Sequence, residues 1–253
     1  MPHENERDLA LSHTPERIRD RLRDGPRHSY LRDFIYGAID GAVTTFAVVS
    51  GVAGAGLSSG VVIVLGVANL LGDGFSMAVS NFLGTRAEEQ LRMKARRMEE
   101  RHIDLFPDGE REEVRQLFAA KGFHGADLER AVDVITADRT RWVDTMLREE
   151  HGMALEGPSP TRAALVTLAS FVGVGALPLL AFVVEFLRPG SIADPFSLSL
   201  ILTTLAFFVV GAFKSRFVDE PWPRAGMETV VVGGLAAAIA YLAGFLLRGL
   251  VGG

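Results

Sequence analysis

Two carboxylates stand in sequence apolar enough to lie inside lipid. Between Gly41 and Gly72 no residue is charged, and a Gly/Ser segment from Gly54 to Gly60 divides the run into two helix-length pieces. Asp40 stands at the start of the first piece and Asp73 within the second. A carboxylate in hydrocarbon costs roughly 2.5–3.5 kcal/mol on insertion scales, so an ionisable group there points to function. Asn69, Asp73 and Met77 follow at intervals of four on one helical face, which Ser80 and Asn81 extend. Asp40, Thr44 and Thr45 cluster beside Gly37 and Gly41, which permit close helix approach. Carboxylate, amide, hydroxyl and thioether groups together suit a partly dehydrated divalent cation, with Asp40, Thr44, Asn69, Asp73 and Met77 lining its path. The hydroxyls of Thr44, Thr45 and Ser80 serve equally well as helix-to-helix hydrogen bonds, a role that does not require the two aspartates. The alternative for Asp73 is an ion pair with a base on another helix, for which Lys214 is the nearest candidate.

A second group lies in polar sequence. Glu99 and His102 are three apart, Glu110 and Glu113 three apart, and Met146 and Glu150 four apart. Each spacing puts both side chains on one face of a helix, as a shared ion requires. Glu-x-x-His is also the pattern of carboxylate metal sites in helical bundles. A charged, solvated helix surface generates such pairs freely, and it is their recurrence on successive helices that suggests a metal site.

These residues need elements to hold them. Five apolar blocks, at about 34–56, 60–83, 163–187, 196–213 and 226–247, approach or exceed the roughly twenty residues that cross a bilayer. Asp194-Pro195 supplies a cap and an N1 proline for the fourth. Gly173, Gly175 and Pro178 predict a kink in the third. Lysine and arginine numbers in the successive non-apolar segments run seven, none, fourteen, one, three and one, the positive-inside pattern of a five-span chain with its N-terminus in the cytosol and its C-terminus outside. The expected organisation is an all-α integral membrane protein: a cytoplasmic N-terminal arm (1–32), membrane helices 1 and 2 (33–84), a cytoplasmic three-helix metal-binding domain (85–160) and membrane helices 3 to 5 (161–253). In the arm, Thr14-Pro15-Glu16 has the form of a helix start, with Ile18 and Leu22 four apart. In the middle domain helix two continues as a rod to Phe106, Pro107 stops it, and Asp108 caps a helix ending at Gly122. A further helix spans 125–151, with Leu128, Val132, Ile135, Trp142 and Leu147 as its apolar stripe. Glu185 and Arg188 read as an interfacial ion pair, and Glu228, opening the fifth span, has no role.

Composition excludes several chemistries. The chain has no cysteine, so disulfides, thiolate metal sites and a cysteine nucleophile are absent. A net charge of −5 gives no electrostatic case for nucleic acid. There is no P-loop, nucleotide fingerprint or Gly-x-Ser-x-Gly, so uphill transport would draw on an ion gradient, with the intramembrane carboxylates as proton acceptors. The arginine-rich N-terminus lacks the apolar stretch of a cleaved signal, so the first membrane helix is expected to target the chain.

Several stretches carry a resemblance. Asp40-Gly41-Ala42-Val43-Thr44-Thr45-Phe46, Asp73-Gly74-Phe75-Ser76-Met77 and Phe106-Pro107-Asp108-Gly109-Glu110 are similar to the vacuolar iron transporter family. So are Trp142-Val143-Asp144-Thr145-Met146-Leu147 with Glu150, and Gly211-Ala212-Phe213-Lys214-Ser215-Arg216-Phe217. The resemblance runs from about Leu31 to the C-terminus. It implies a homodimer of five-span subunits, not an enzyme, that exports Fe²⁺, and often Mn²⁺ or other divalent ions, from the cytosol in exchange for protons. The metal is substrate, and no prosthetic group is implied. By position the family's membrane ligands fall on Asp40 and Met77, and its cytoplasmic ligands on Glu99, Glu110, Glu113, Met146 and Glu150. Three positions depart from the family pattern. Asn69 stands where the family has Glu, which removes a charge from the pathway. His102 stands where a Glu is usual, softening the site toward Zn²⁺ or Co²⁺. Leu147 replaces a second Met. A bacterial inner membrane is favoured as location, or a vacuolar one in a eukaryote. Two alternatives remain at this level: a membrane-anchored ferroxidase or iron store with a di-iron carboxylate site, and a passive channel or Mg²⁺/Ca²⁺ binder.

Overall fold

The structure, a computed structural model, describes residues 6–24, 28–217 and 219–250. The described residues are helical with no strand, and the chain divides into two compact units: Met1–Phe82 with Thr161–Gly253, and Leu83–Pro160.

In the first unit two short helices, α1 (Glu6–Ser12) and α2 (Pro15–Asp24), precede the apolar sequence. The start read at Thr14 forms: its hydroxyl accepts from the Arg17 amide at 3.4 Å. Residues 1–5 and 25–27 of the arm lie outside the described residues. The apolar helices are α3 (Leu31–Gly54), α4 (Ser59–Leu105), α8 (Pro160–Gly175), α9 (Leu177–Leu187), α10 (Pro195–Lys214) and α11 (Trp222–Leu247). Four of them, α3, α4, α10 and α11, are long and apolar enough to cross a membrane, and α8 with α9 makes a fifth if the bent pair is one span. The predicted kink falls at Ala176, where Pro178 withholds a backbone donor and the axis turns by 51°. The fully buried Ser199 hydroxyl donates to the Pro178 carbonyl at 2.6 Å, tying α10 to the bend. Asp194 caps α10 as expected, accepting from the Phe196 and Ser197 amides at 3.1 and 3.2 Å.

Small residues let these helices meet backbone to backbone. A Cβ on Gly41 would lie 2.3 Å from the Phe171 carbonyl oxygen of α8, and one on Gly244 would lie 2.0 Å from the Gly51 carbonyl oxygen of α3. Large side chains fill the remaining space: Phe46, Val49, Val62, Leu70, Phe171, Leu179 and Phe182 form the core of the unit. On the outside, Val231, Leu235, Ile239, Leu242 and Leu246 of α11 are all more than half exposed, an apolar stripe of the kind lipid covers.

Two ion pairs read from the sequence are replaced. Lys214 is held by Glu228 at 3.1 Å, with Glu220 at 3.9 Å, so it is not the counter-ion of Asp73, and Glu228 gains a role joining the C-terminal end of α10 to the N-terminal end of α11. Glu185 turns from Arg188 to the loop after α9, accepting from the Gly190 and Ile192 amides at 2.6 and 2.8 Å.

The second unit contains the end of α4 with α5 (Pro107–Ala120), α6 (Gly125–Thr136) and α7 (Arg139–Glu149). The rod persists to Leu105 and Pro107 begins the next helix, as read from the sequence. The cap position belongs to Phe106 rather than Asp108, because the fixed φ of Pro107 starts the helix two residues earlier. Asp108 instead lies in the first turn, where its charge meets the positive end of the helix dipole. Gly122 has φ +93°, the left-handed turn expected after α5. The single helix expected over 125–151 is two, because the Asp138 carboxylate accepts from the Arg141 amide at 2.7 Å and starts α7. The apolar stripe survives the break: Val132, Ile135, Trp142 and Leu147 join Val114, Val143 and Met146 in one core.

The close crossings make a test in which fold alone is read. Gly41→Ala should destabilise the purified protein by about 1–3 kcal/mol, the usual cost of overpacking. Gly173→Ala, with nothing within 4 Å of the added carbon, should be neutral or stabilising. Thermal unfolding in detergent measures both.

Candidate metal centre

Within the second unit three helices converge their donors. Glu99 comes from α4 and is 1% exposed; Glu110 comes from the first turn of α5 and is 5% exposed. Glu150 is the residue that closes α7. The ligand atoms of Glu99, His102 and Glu110 lie within 4.8 Å of one another, and so do those of Glu99, Glu150 and His151. Glu99 therefore belongs to both groups. His102 Nδ1 is 3.3 Å from Glu110 Oε1, and His151 Nε2 is 2.8 Å from Glu99 Oε1. One oxygen on each buried carboxylate, Oε2 of Glu99 and Oε2 of Glu110, has no hydrogen-bond partner among the described residues. A buried carboxylate oxygen without a partner costs on the order of 1–3 kcal/mol or more, and an ion that accepts its lone pair relieves that cost.

The electrostatics agree with the geometry. Burial, together with the charges of Glu113 and Glu99, pushes Glu110 up to about 7, against the opposing pull of His102. Burial and the same two neighbours, Glu99 and Glu113, also raise Glu150. His151 is raised chiefly by its hydrogen bond to Glu99, against its burial. Like charges crowded this way repel unless protons or a cation intervene.

The candidate residues from the sequence are thus placed as follows. Glu99, His102 and Glu110 meet in one group, and Glu150 joins Glu99 in the other. Glu113 is exposed but close enough to act on Glu110 and Glu150. Met146 is fully buried in the apolar core, one turn before Glu150. His151 was missed by reading helical spacings, since it lies past the end of α7; an imidazole adjoining a candidate ligand at a helix end was the available signal.

In the first unit Asn69 donates to Thr44 Oγ1 at 3.1 Å and to Thr45 Oγ1 at 3.3 Å, while Thr44 donates to the Asp40 carbonyl at 2.8 Å. Asp40 is half-buried and within electrostatic range of Asp73, which is exposed on the outer face of α4. Met77 packs against the core beside them. Asn81 bridges Asp33 and Thr167 at 2.8 and 2.7 Å, a contact that assigns Asp33 a place the sequence did not suggest.

Helices built for a bilayer, with acids among them and a carboxylate–imidazole cluster in polar sequence, define a membrane protein of the metal-handling kind. The particular lineage is shown by comparison: a model of the VIT family matches residues 31–245, and the chain belongs to that family. A vacuolar iron transporter of Toxoplasma gondii is 31% identical over 88% of this chain and 76% of its own. Vacuolar iron transporter 1 of Arabidopsis thaliana is 30% identical over 83% of each chain, and that of Oryza sativa subsp. japonica is 31% identical over 83% of this chain and 82% of its own.

The raised groups fix the sign of a pH effect. Glu110 in the fold keeps a proton that the unfolded chain releases above about 4.5, so its stabilising contribution is present at low pH and lost as pH rises toward 7. Glu150 and His151, also raised, act in the same direction. Asp104 and Glu129 are lowered by arginine partners, and Glu112 by hydrogen bonds from Gln116 and then Arg115; these act only below the ordinary carboxylate range. Thermal unfolding of the full chain with chelator should therefore show falling stability from pH 5 to 8. Saturating Zn²⁺ or Mn²⁺ should reverse the trend and release protons on binding, measured by titration calorimetry in buffers of different ionisation enthalpy.

Proposed function

We propose that this chain is a proton-coupled transporter that moves Fe²⁺, and with it Mn²⁺ and other first-row divalent ions, out of the cytosol. The observation that carries the reading is the buried cluster around Glu99, whose unpaired oxygens suit a cation, in a chain related to vacuolar iron transporters. The helical unit, cytoplasmic by the distribution of arginine and lysine, captures the ion on Glu99, His102, Glu110, Glu113, Met146 and Glu150 and raises its local concentration. Asp40, Thr44, Asn69, Asp73 and Met77 line the way across the five spans. Asp40 and Asp73 are the intramembrane carboxylates for which the metal and protons compete.

Asp73 also supports a homodimer. In a single subunit it lies exposed among Leu71 and Phe75, apolar side chains that face outward from α4. A carboxylate pointing into lipid is costly, and a second subunit on this face would enclose it. The sharing of Glu99 between two donor groups favours a second reading, a ferroxidase or iron store with two adjacent ions. Oxygen consumption by the purified protein with Fe²⁺ separates the two, since a transporter consumes none.

Proteoliposomes carrying the full chain should accumulate Fe²⁺ and Mn²⁺ faster when a pH difference is imposed, and equal rates with and without it would indicate a passive channel. Asp40→Ala should reduce flux to that of empty liposomes while the protein remains membrane-inserted. Undiminished flux through that variant defeats the assignment.

A further inference from the structure

The position of His151 is set by the backbone. After α7 its amide donates to the Met146 carbonyl at 3.2 Å, Gly152 takes φ +62°, and the Met153 amide returns to the Leu147 carbonyl at 2.8 Å. This left-handed helix end fixes the ring before any ion arrives. The side chain is 20% exposed and aims at Glu99, which is 2% exposed, with Nε2 2.8 Å from Oε1 and 3.9 Å from Glu150 Oε2. Two donors each about 2.1 Å from one tetrahedral ion stand about 3.4 Å apart, so the pair needs to open by roughly half an ångström to admit one. The other oxygen of Glu99 is buried and without a partner, which leaves that carboxylate free to serve the His102–Glu110 side as well.

We propose that His151 is a metal ligand of this centre and its selectivity determinant. With Glu99 and Glu150 it forms a nitrogen-containing half-site, and the shared Glu99 joins that half to Glu99–His102–Glu110. Carboxylate sites suit Mn²⁺, whereas imidazole strengthens binding of later first-row ions such as Co²⁺ and Zn²⁺. One imidazole on each half of the centre widens the preference for those ions that the natural affinity order already gives. The inference rests on the proposed metal-capturing role of the cluster and adds to it the class of ion the cluster holds most tightly.

The alternative role for His151 is structural, a hydrogen bond that fastens the end of α7 to α4. Two variants of the full chain in detergent separate the roles, with Zn²⁺, Co²⁺ and Mn²⁺ as probes. His151→Gln retains a hydrogen-bond donor but loses the imidazole; it should weaken Zn²⁺ and Co²⁺ binding by about 10–100-fold, the scale of loss seen when even an outer partner of a ligand is removed, and change Mn²⁺ binding much less. His151→Cys places the only thiol in a chain without cysteine, so a thiolate-to-Co²⁺ charge-transfer band in the near ultraviolet reports coordination at that position alone. An unchanged Zn²⁺-to-Mn²⁺ affinity ratio in the glutamine variant, or no such band in the cysteine variant, overturns the proposal. Glu99→Gln distinguishes its failure from that of the underlying reading: if that variant binds all three ions as the parent does, the cluster is not a metal centre.

Discussion

The arrangement of the polar unit depends on the burial of two carboxylates that are never fully paired. Glu99 and Glu110 are almost wholly removed from solvent, each keeping one oxygen without a hydrogen bond. Buried charge is tolerated only when something neutralises it, and here the means are imidazoles at 2.8 and 3.3 Å and protons held by raised acids. Well-packed apolar residues hold this strained group together. Val114, Val132, Val143 and Met146, all about 0–1% exposed, fix α5, α6 and α7 against the end of α4. Surface ion pairs such as Arg115 with Glu129 and Arg139 with Asp104 add register to that packing rather than much stability.

The apolar unit manages polarity differently. Its hydroxyl and amide groups satisfy each other across helices, as Asn69 does with Thr44 and Thr45 and as Ser199 does at the bend between α8 and α9. Where family relatives are expected to carry a carboxylate, Asn69 supplies hydrogen bonds between α3 and α4 without charge. Asp40, half-buried on α3, and Asp73, exposed on α4, are then the carboxylates of the proposed path.

Much of this was legible in the sequence because it rests on local rules. Apolar blocks gave the long helices, Asp194-Pro195 the start of α10, Gly-Pro content the bend, and Pro107 the end of α4. The i, i+3 spacing of Glu99 with His102 marked a face whose ligand atoms, with those of Glu110, lie within 4.8 Å of one another. What escaped depends on contacts across the chain. Asp138 lies inside the span read as one helix and splits it by capping α7, and Lys214 could be matched to Asp73 only while the position of Glu228 was unknown. His151 follows a helix end, where side-chain direction is set by a left-handed glycine and periodicity has no say. Asp33 meets Asn81 across 48 positions, a distance no pattern spans.

The helix break at Asp138 has a further effect. It leaves α7 as an eleven-residue piece, capped at one end and closed by Gly152 beyond the other, whose lateral position is set by the side chains beneath it. Glu150 and His151 therefore ride on a piece whose seating is decided by methyl groups at Val114, Val143 and Leu147. In the proposed metal centre the ionic radius favoured is then adjustable from the apolar side, with no donor atom exchanged.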